Sequence, residues 1–127
     1  METYSFDFEF VKAGAPIVTI SSLGLAFNQL SRSKLGFPLK INVGYDENAH
    51  AIGIKAHIEG SNTSFYEFES REKNGWVRIG CKDFVKYLST QTKIDFNKSA
   101  IQFVATFNED SGILIVIVDE EHMKKLR

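Results

Sequence analysis

Three histidines and one cysteine are the residues of this chain that would most readily bind a metal ion or start nucleophilic chemistry. The histidines, His50, His57 and His122, include no pair spaced three or four residues apart. Metal sites commonly use such short spacings, so the pattern predicts no metal site. The chain also lacks a Gly-X-Ser-X-Gly turn and a glycine-rich phosphate loop. We therefore expect no metal, no cofactor and no enzymatic activity.

The single cysteine, Cys81, falls at the start of a predicted helix. The helix dipole lowers the pKa of a thiol at that position, which would favour a reactive thiolate. The alternative is an inert side chain, because free cysteine often packs as a small hydrophobic residue. We expect the inert side chain. One cysteine also excludes an internal disulfide framework and predicts a reducing, cytoplasmic setting.

Four carboxylates cluster at two predicted hairpin turns. If the turns met in space, the carboxylates would hold a cation. The alternative is that they are solvated turn residues, since Asp is favoured in turns for its hydrogen bonds to the backbone. We expect turn residues at all four positions, which are Asp46, Glu47, Glu109 and Asp110.

Basic side chains are the most informative electrostatic feature of the sequence. The stretch from Arg71 to Lys98 contains seven Lys and Arg residues and three Asp and Glu residues. Its formal charge is therefore +4, whereas the formal charge of the whole chain is −1. A shared basic surface would attract phosphates. The alternative is that the lysines form the solvent-exposed face of an amphipathic helix. The candidate nucleic-acid-binding residues are Arg32, Lys34, Lys40, Arg78, Lys82 and Lys86.

Strands must position most of these residues. Alternating apolar residues predict strands over residues 4–10, 39–45, 52–58, 65–68, 76–79 and 101–107, and short apolar runs predict two more over 17–20 and 113–118. Consecutive strands most simply form hairpins, and Asn74-Gly75 is a typical hairpin turn. Helical spacing predicts helices over residues 25–35 and 82–90, with Gly36 ending the first.

The two halves of the chain share one order of elements, which is strand, strand, helix, strand, strand. The second hairpins correspond at an offset of 62 residues, as in Tyr45 with Phe107, and the first hairpins and helices at 58 or 59. Units of this size rarely close a core alone. We predict two repeats, over residues 3–58 and 64–118, and a tail over 119–127. Two unrelated β-rich halves are the alternative.

Length and composition limit the fold class. A chain of 127 residues with 43% hydrophobic residues and 11 Phe fits one domain with a filled apolar core. No apolar run approaches the roughly 20 residues that span a bilayer, so we expect a soluble protein that does not enter membranes. The prediction is a single mainly β (α+β) domain over residues 1–127. Its two repeats would form an intramolecular pseudo-twofold antiparallel sheet or barrel with two short helices.

The residues from 25 to 37, followed by 39–48 and 52–55, resemble the AbrB/SpoVT swapped-hairpin family of bacterial transition-state regulators. The run Arg32-Ser33-Lys34-Leu35-Gly36 carries the basic residue and Leu-Gly of the family's helix end, whereas Asn28 replaces the family's proline. The family's Gly-Arg before the helix is also replaced here. The resemblance covers residues 5–58 at motif level and 64–118 in topology. It implies that one chain contains both halves of the family's dimer, with a DNA-binding face near the loops and helices.

These patterns favour a non-enzymatic bacterial or phage-type regulatory protein that binds duplex DNA. A protein-interaction or structural module is the alternative, with a protein partner or self-association through an aromatic edge at residues 4–10 or 65–68. A small-molecule binder or enzyme is the third hypothesis, because a β-barrel can enclose a ligand. We expect the 11 Phe to fill such an interior.

Overall fold

The computed structural model describes residues 14–124, which form two antiparallel sheets of five strands and two short helices. This confirms the prediction of a mainly β fold. The strands are β1 Ile17–Ser21, β2 Gly24–Phe27, β3 Lys40–Asp46, β4 Ala51–Ala56, β5 Tyr66–Glu67, β6 Glu72–Lys73, β7 Trp76–Gly80, β8 Ile101–Val104, β9 Thr106–Asn108 and β10 Ile113–Ile117. The helices are α1 Gln29–Leu35 and α2 Lys82–Thr92, and single 3-10 turns cover Glu69–Arg71 and Glu120–His122.

Strand order separates the fold into two sheets. The first has the order β6-β7-β2-β1-β8, and the second has the order β5-β3-β4-β10-β9. The prediction left a sheet or a barrel open, and residues 14–124 form open sheets of which neither closes into a barrel. The predicted strand over 101–107 divides at Ala105, whose backbone N–H donates to the carbonyl oxygen of Pro16 at 2.9 Å. The chain therefore passes from the first sheet to the second within one extended segment.

The first hairpin differs from the prediction. β1 lies between β2 and β8 in the first sheet and forms its hairpin with β2. The strand predicted over residues 4–10 lies outside the described residues, and so does the hairpin predicted between it and β1. Residues 25–27, predicted as the start of a helix, belong to β2. Leu25 and Phe27 are buried opposite Ile20 and Val18, and three residues are too few to separate strand from helix periodicity.

Both ends of α1 carry capping residues. The side-chain oxygen of Asn28 accepts a hydrogen bond from the backbone N–H of Ser31 at 3.0 Å, so the helix begins after Asn28. Gly36 ends the helix with a φ of 84°, and this confirms the predicted glycine stop.

The later elements of the chain confirm some predictions and differ from others. The β3–β4 hairpin forms as predicted, with Tyr45 opposite Ile52. The Asn74-Gly75 turn also forms, but it joins β6 to β7 because β5 pairs with β3 instead. The backbone N–H of Phe68 donates to the carbonyl oxygen of Leu39 at 2.7 Å, which holds the segment after β5 against the second sheet. α2 extends to Thr92, two residues beyond the prediction.

One apolar cluster draws on both sheets and both helices. Phe27 and Phe68 meet edge to face in it, with 5.1 Å between ring centres, and both are fully buried. Because side chains alternate along each strand, the residues between the core positions point outward. The outward positions of the first sheet are therefore free to form a surface site. In residues 14–124, no helix has the length and apolar character required to cross a membrane.

Candidate nucleic-acid interface

A groove of about 610 Å³ crosses the outer face of the first sheet. Its floor includes one row of residues on four neighbouring strands, in which Arg78 pairs with Ala26, Ala26 with Thr19, and Thr19 with Gln102. Val77 and Ile79, on either side of Arg78, are buried, so the row faces away from the core. The row therefore combines one cation with hydroxyl and amide groups that form hydrogen bonds.

A second row of the floor consists largely of backbone. Gly24 on β2 pairs with Gly80 on β7, and both residues line the groove. Neither has a side chain above the sheet, so a ligand can approach the peptide groups closely. A Cβ atom on Gly24 would lie 2.0 Å from the carbonyl oxygen of Ile79, whereas nothing lies within 4 Å of a Cβ atom on Gly80. The close approach of β2 and β7 thus requires glycine at position 24.

Two arginines and the only tryptophan border the groove. Trp76 and Arg78 are two residues apart on β7, so both side chains lie on the outer face. Arg71 comes from the 3-10 turn before β6, and its Nε donates to the carbonyl oxygen of Arg78 at 2.8 Å. Both arginines are exposed, and neither pairs with a carboxylate among residues 14–124. None of the lining residues is Asp or Glu, so the groove is positively charged and attracts anions.

The basic surface continues onto α2. Leu23 and Gly80 line both the groove and a neighbouring depression, which is also lined by Lys82 and by the carboxylate of Asp83. Lys86 is exposed and follows Lys82 by one turn, so the two lysines share one face of the helix. The structure thus brings three of the predicted residues, Arg78, Lys82 and Lys86, to one side of the β7–α2 junction.

Arg32 is buried, with 7% of the residue exposed. Its Nε lies 3.0 and 3.2 Å from the two carboxylate oxygens of Glu69, and a second guanidinium nitrogen also donates to Glu69. The remaining nitrogen donates to the carbonyl oxygen of Gly75 at 2.9 Å. The hydrogen bond with Glu69 raises the pKa of Arg32 and outweighs the opposing effect of burial. The structure therefore corrects the expectation that Arg32 is a surface cation.

Lys34 and Lys40 are absent from the residues that line the groove. Lys34 is exposed in the last turn of α1, and Lys40 begins β3 in the second sheet. The Nζ atom of Lys40 lies 3.5 Å from a carboxylate oxygen of Glu59 and 4.6 Å from the centre of the Phe65 ring. The first-half lysines therefore do not extend the groove.

Arg78 was the one predicted site residue that lines the groove. The polar and aromatic lining residues that were not predicted are Thr19, Ser21, Arg71, Trp76 and Gln102. The alternation of buried Val77 and Ile79 with Trp76 and Arg78 is a sequence signal that pairs the last two on an outer face. No comparable signal joins Thr19 to Gln102, because they are 83 residues apart and meet only through strand pairing.

The carboxylates of Asp46 and Glu47, at the turn between β3 and β4, form hydrogen bonds within the protein. Asp46 accepts from the backbone N–H groups of Asn48 and Ala49 at 2.9 and 3.2 Å, as a turn residue does. Glu47 accepts from the Tyr87 hydroxyl, and this hydrogen bond raises the pKa of Tyr87. In the part of the chain that the structure describes, no group of three His, Cys, Asp or Glu side chains is placed to hold a metal ion.

Cys81 precedes α2, and burial raises the pKa of its thiol to about 11. Desolvation disfavours the thiolate, and the hydrogen bond from the Leu25 backbone only partly opposes this effect. This direction agrees with the expected inert side chain and opposes the alternative of a reactive thiolate. Cys81 instead joins the residues packed against the core.

Alkylation of Cys81 should be slow in the folded protein. With a pKa of about 11 instead of the ordinary 9.0, the thiolate fraction at neutral pH falls by about a hundredfold. The rate with iodoacetamide should rise about tenfold per pH unit from neutral pH to about pH 10. Chain unfolded in urea is the control, and equal rates for folded and unfolded chain would contradict the assignment.

Comparisons with family models, curated proteins and solved structures find no match to this chain, so the proposals below rest on its own residues.

Proposed function

We propose that this chain is a non-enzymatic regulatory protein of bacterial or phage type that binds DNA through the outer face of its first sheet. The groove bordered by Arg71 and Arg78 is the observation that carries the proposal. Its lining contains two guanidinium groups and no carboxylate. Guanidinium groups form paired hydrogen bonds with phosphate oxygens, which suits them to a nucleic-acid backbone.

The lysines of α2 support a phosphate path longer than the groove itself. Lys82 lies in the adjoining depression, and Lys86 lies on the same helix face. Contacts of this kind release counterions from the nucleic acid, so binding by this surface should weaken steeply as salt increases. The net charge of −1 for the whole chain provides no general attraction for DNA, which supports a local basic face as the proposed binding surface.

We also propose that the chain contains two β-β-α-β-β repeats related by a pseudo-twofold axis, as the AbrB/SpoVT resemblance implies. Strand register supports this proposal. The β3–β4 and β9–β10 hairpins correspond at an offset of 62, with Asp46 opposite Ala51 and Asn108 opposite Ile113. The repeats would then be β1-β2-α1-β3-β4 and β6-β7-α2-β8/β9-β10.

The first hairpins support the same proposal with a different alignment. Ile20 pairs with Leu25 and Glu72 pairs with Val77, so β1–β2 and β6–β7 correspond at an offset of 52. The offsets of 58 and 59 predicted from the sequence for the first hairpins align β1 with β7, whereas the observed pairing aligns β1 with β6. In strand order, β2 and β7 are neighbours in the first sheet, and β4 and β10 are neighbours in the second. A pseudo-twofold axis between these pairs would relate the halves.

DNA binding is tested by fluorescence anisotropy with labelled mixed-sequence DNA, offered as single strand and as duplex, from about 50 to 200 mM salt. We expect binding that weakens with salt. Replacing Arg78 with alanine should reduce the affinity about tenfold and the salt slope by about one, because one charged phosphate contact is lost. Lys55→Ala is the control, since Lys55 is exposed on the second sheet. Absence of binding to both forms of DNA at low salt would contradict the proposal.

Self-association is a second candidate function, and an exposed apolar patch favours it. Leu39 and Ile58 are 70% and 69% exposed, and Phe37 and Phe65 are about half exposed. The backbone N–H of His57 donates to the carbonyl oxygen of Lys40 at 2.9 Å, which brings the segments with Leu39 and Ile58 side by side. Exposed patches of this type often mark interaction sites. Phe68, also in the predicted aromatic edge, is fully buried and does not contribute.

This second candidate predicts a dimer whose population rises with protein concentration. Replacing both Leu39 and Ile58 with serine should abolish the dimer, because polar side chains remove the apolar contact area. Sedimentation velocity measures both results. A monomer at every concentration would exclude self-association through this patch.

A further inference from the structure

We infer that the groove on the first sheet binds an unpaired strand of nucleic acid in preference to a duplex, with a base stacked on Trp76 and phosphates held by Arg71 and Arg78. The inference rests on the proposed function and specifies the form of DNA that the groove accepts.

The indole of Trp76 and the guanidinium groups of Arg71 and Arg78 all lie beside one strand of the sheet, β7. Trp76 and Arg78 project from β7 on the same face, about 7 Å apart along the strand. Arg71 is held against β7 by its hydrogen bond to the carbonyl oxygen of Arg78. A nucleotide combines an aromatic base with a phosphate, and this surface offers a partner for each within the same groove.

An intact duplex cannot use Trp76 in this way. In a duplex each base face is covered by its neighbours, so a protein aromatic side chain stacks on a base only when that base is unpaired. Proteins read duplex base edges with an element that enters the major groove. Here Ala26, Gly24 and Gly80 carry at most a methyl group, so the centre of the groove is recessed and does not project into a DNA groove.

The polar side chains of the groove can form hydrogen bonds with the edges of an unpaired base. Thr19 and Gln102 lie opposite one another on β1 and β8, and Ser21 lines the same groove. Their hydroxyl and amide groups both donate and accept hydrogen bonds, so they can pair with any base. We therefore expect weak sequence preference, as in other single-strand sites that rely on stacking.

A single strand of nucleic acid fits the charge distribution of this surface better than a free nucleotide does. The groove adjoins a depression lined by Lys82 and Asp83, and Lys86 follows Lys82 by one turn of α2. Two cations and one carboxylate give this extension a net positive charge beyond the place where one base and one phosphate would bind. Successive phosphates of a strand can occupy both positions, whereas a mononucleotide occupies one.

Trp76 is the only tryptophan, so its fluorescence reports directly on this groove. The test titrates the full chain with an oligothymidylate of about 10 nucleotides, with the same strand annealed to its complement, and with thymidine monophosphate. We expect the single strand to quench Trp76 and to bind at least about tenfold more tightly than the duplex, since stacking contributes strongly to each base. Thymidine monophosphate at the same concentration should neither quench nor compete.

Variants separate stacking from general charge attraction. Trp76→Ala should weaken single-strand binding about tenfold and duplex binding by a clearly smaller factor, and Trp76→Phe should restore part of the single-strand loss. Circular dichroism verifies that each variant folds, and quenching of the unaltered chain tests the inference without any variant. Equal affinity for single strand and duplex, or saturation without quenching, would overturn the inference and leave the proposed function standing. Competition by thymidine monophosphate would overturn the inference that the ligand is a strand of nucleic acid and not a free nucleotide. Absence of binding to both the single strand and the duplex would overturn both proposals.

Discussion

Replacing Gly24 with alanine should lower the free energy of unfolding by about 3 kcal/mol. The added Cβ atom would lie 2.0 Å from the carbonyl oxygen of Ile79 and 3.0 Å from the backbone nitrogen of Cys81. Both contacts are with backbone atoms, which cannot rotate away as a flexible side chain would. β2 and β7 must separate to relieve the overlap, and this disrupts the centre of the first sheet. Urea denaturation followed by circular dichroism measures the loss.

Gly44→Ala is the matched control for that substitution. Gly44 lies within β3, and nothing is within 4 Å of a Cβ atom placed on it. Alanine there should change stability by less than about 0.5 kcal/mol, or increase it slightly, because glycine weakens strand interiors. Equal losses in the two variants would show that the close approach of β2 and β7 is not what makes Gly24 necessary.

Replacing Glu69 with glutamine should lower the free energy of unfolding by about 2 to 3 kcal/mol. The substitution leaves the Arg32 side chain buried with its positive charge unmatched. The side chain of Arg32 is 8% exposed and that of Glu69 is 20% exposed, so water can replace the lost carboxylate only in part. Arginine stays charged at ordinary pH, so loss of a proton cannot relieve the burial. Urea denaturation again measures the loss.

Glu67→Gln provides the control for the ion pair, because Glu67 is exposed on β5 only two residues earlier. It should change stability by less than about 0.5 kcal/mol. Replacing both Arg32 and Glu69 with leucine should recover most of the loss, because apolar residues can replace a buried ion pair at little cost. Equal effects of the Glu67 and Glu69 substitutions, or no recovery in the double variant, would contradict this account.

The ion pair also connects the core to the groove. Arg32 donates to the carbonyl oxygen of Gly75, which belongs to the β6–β7 turn immediately before Trp76. Loss of Glu69 should therefore loosen the hairpin that carries the indole, and weaken DNA binding even though Glu69 does not line the groove. Arg32 contributes to the site by holding this turn, and its guanidinium is not available for phosphate.

Local patterns were sufficient to predict several elements of the fold. The alternation of Ile41, Val43 and Tyr45 marks β3, and Asn74-Gly75 marks a hairpin turn, because both signals depend only on neighbouring residues. Residues 25–27 were assigned to a helix because Phe27 and Leu30 also fit helical spacing. Burial of Leu25 against the opposite strand decides in favour of β2, and such burial is a property of the folded chain.

The sequence by itself determined a mainly β fold, an apolar core and a basic stretch from Arg71 to Lys98, since composition and period-two alternation follow directly from residue order. Only the tertiary structure decided which charges are available. Arg32 and Arg78 are indistinguishable as charges in the sequence, but Glu69 neutralises the first inside the protein and an outward strand position exposes the second. The physical reason is that burial and ion pairing depend on residues distant in sequence, such as Arg32 on α1 and Glu69 in a 3-10 turn, which come together only in the folded chain.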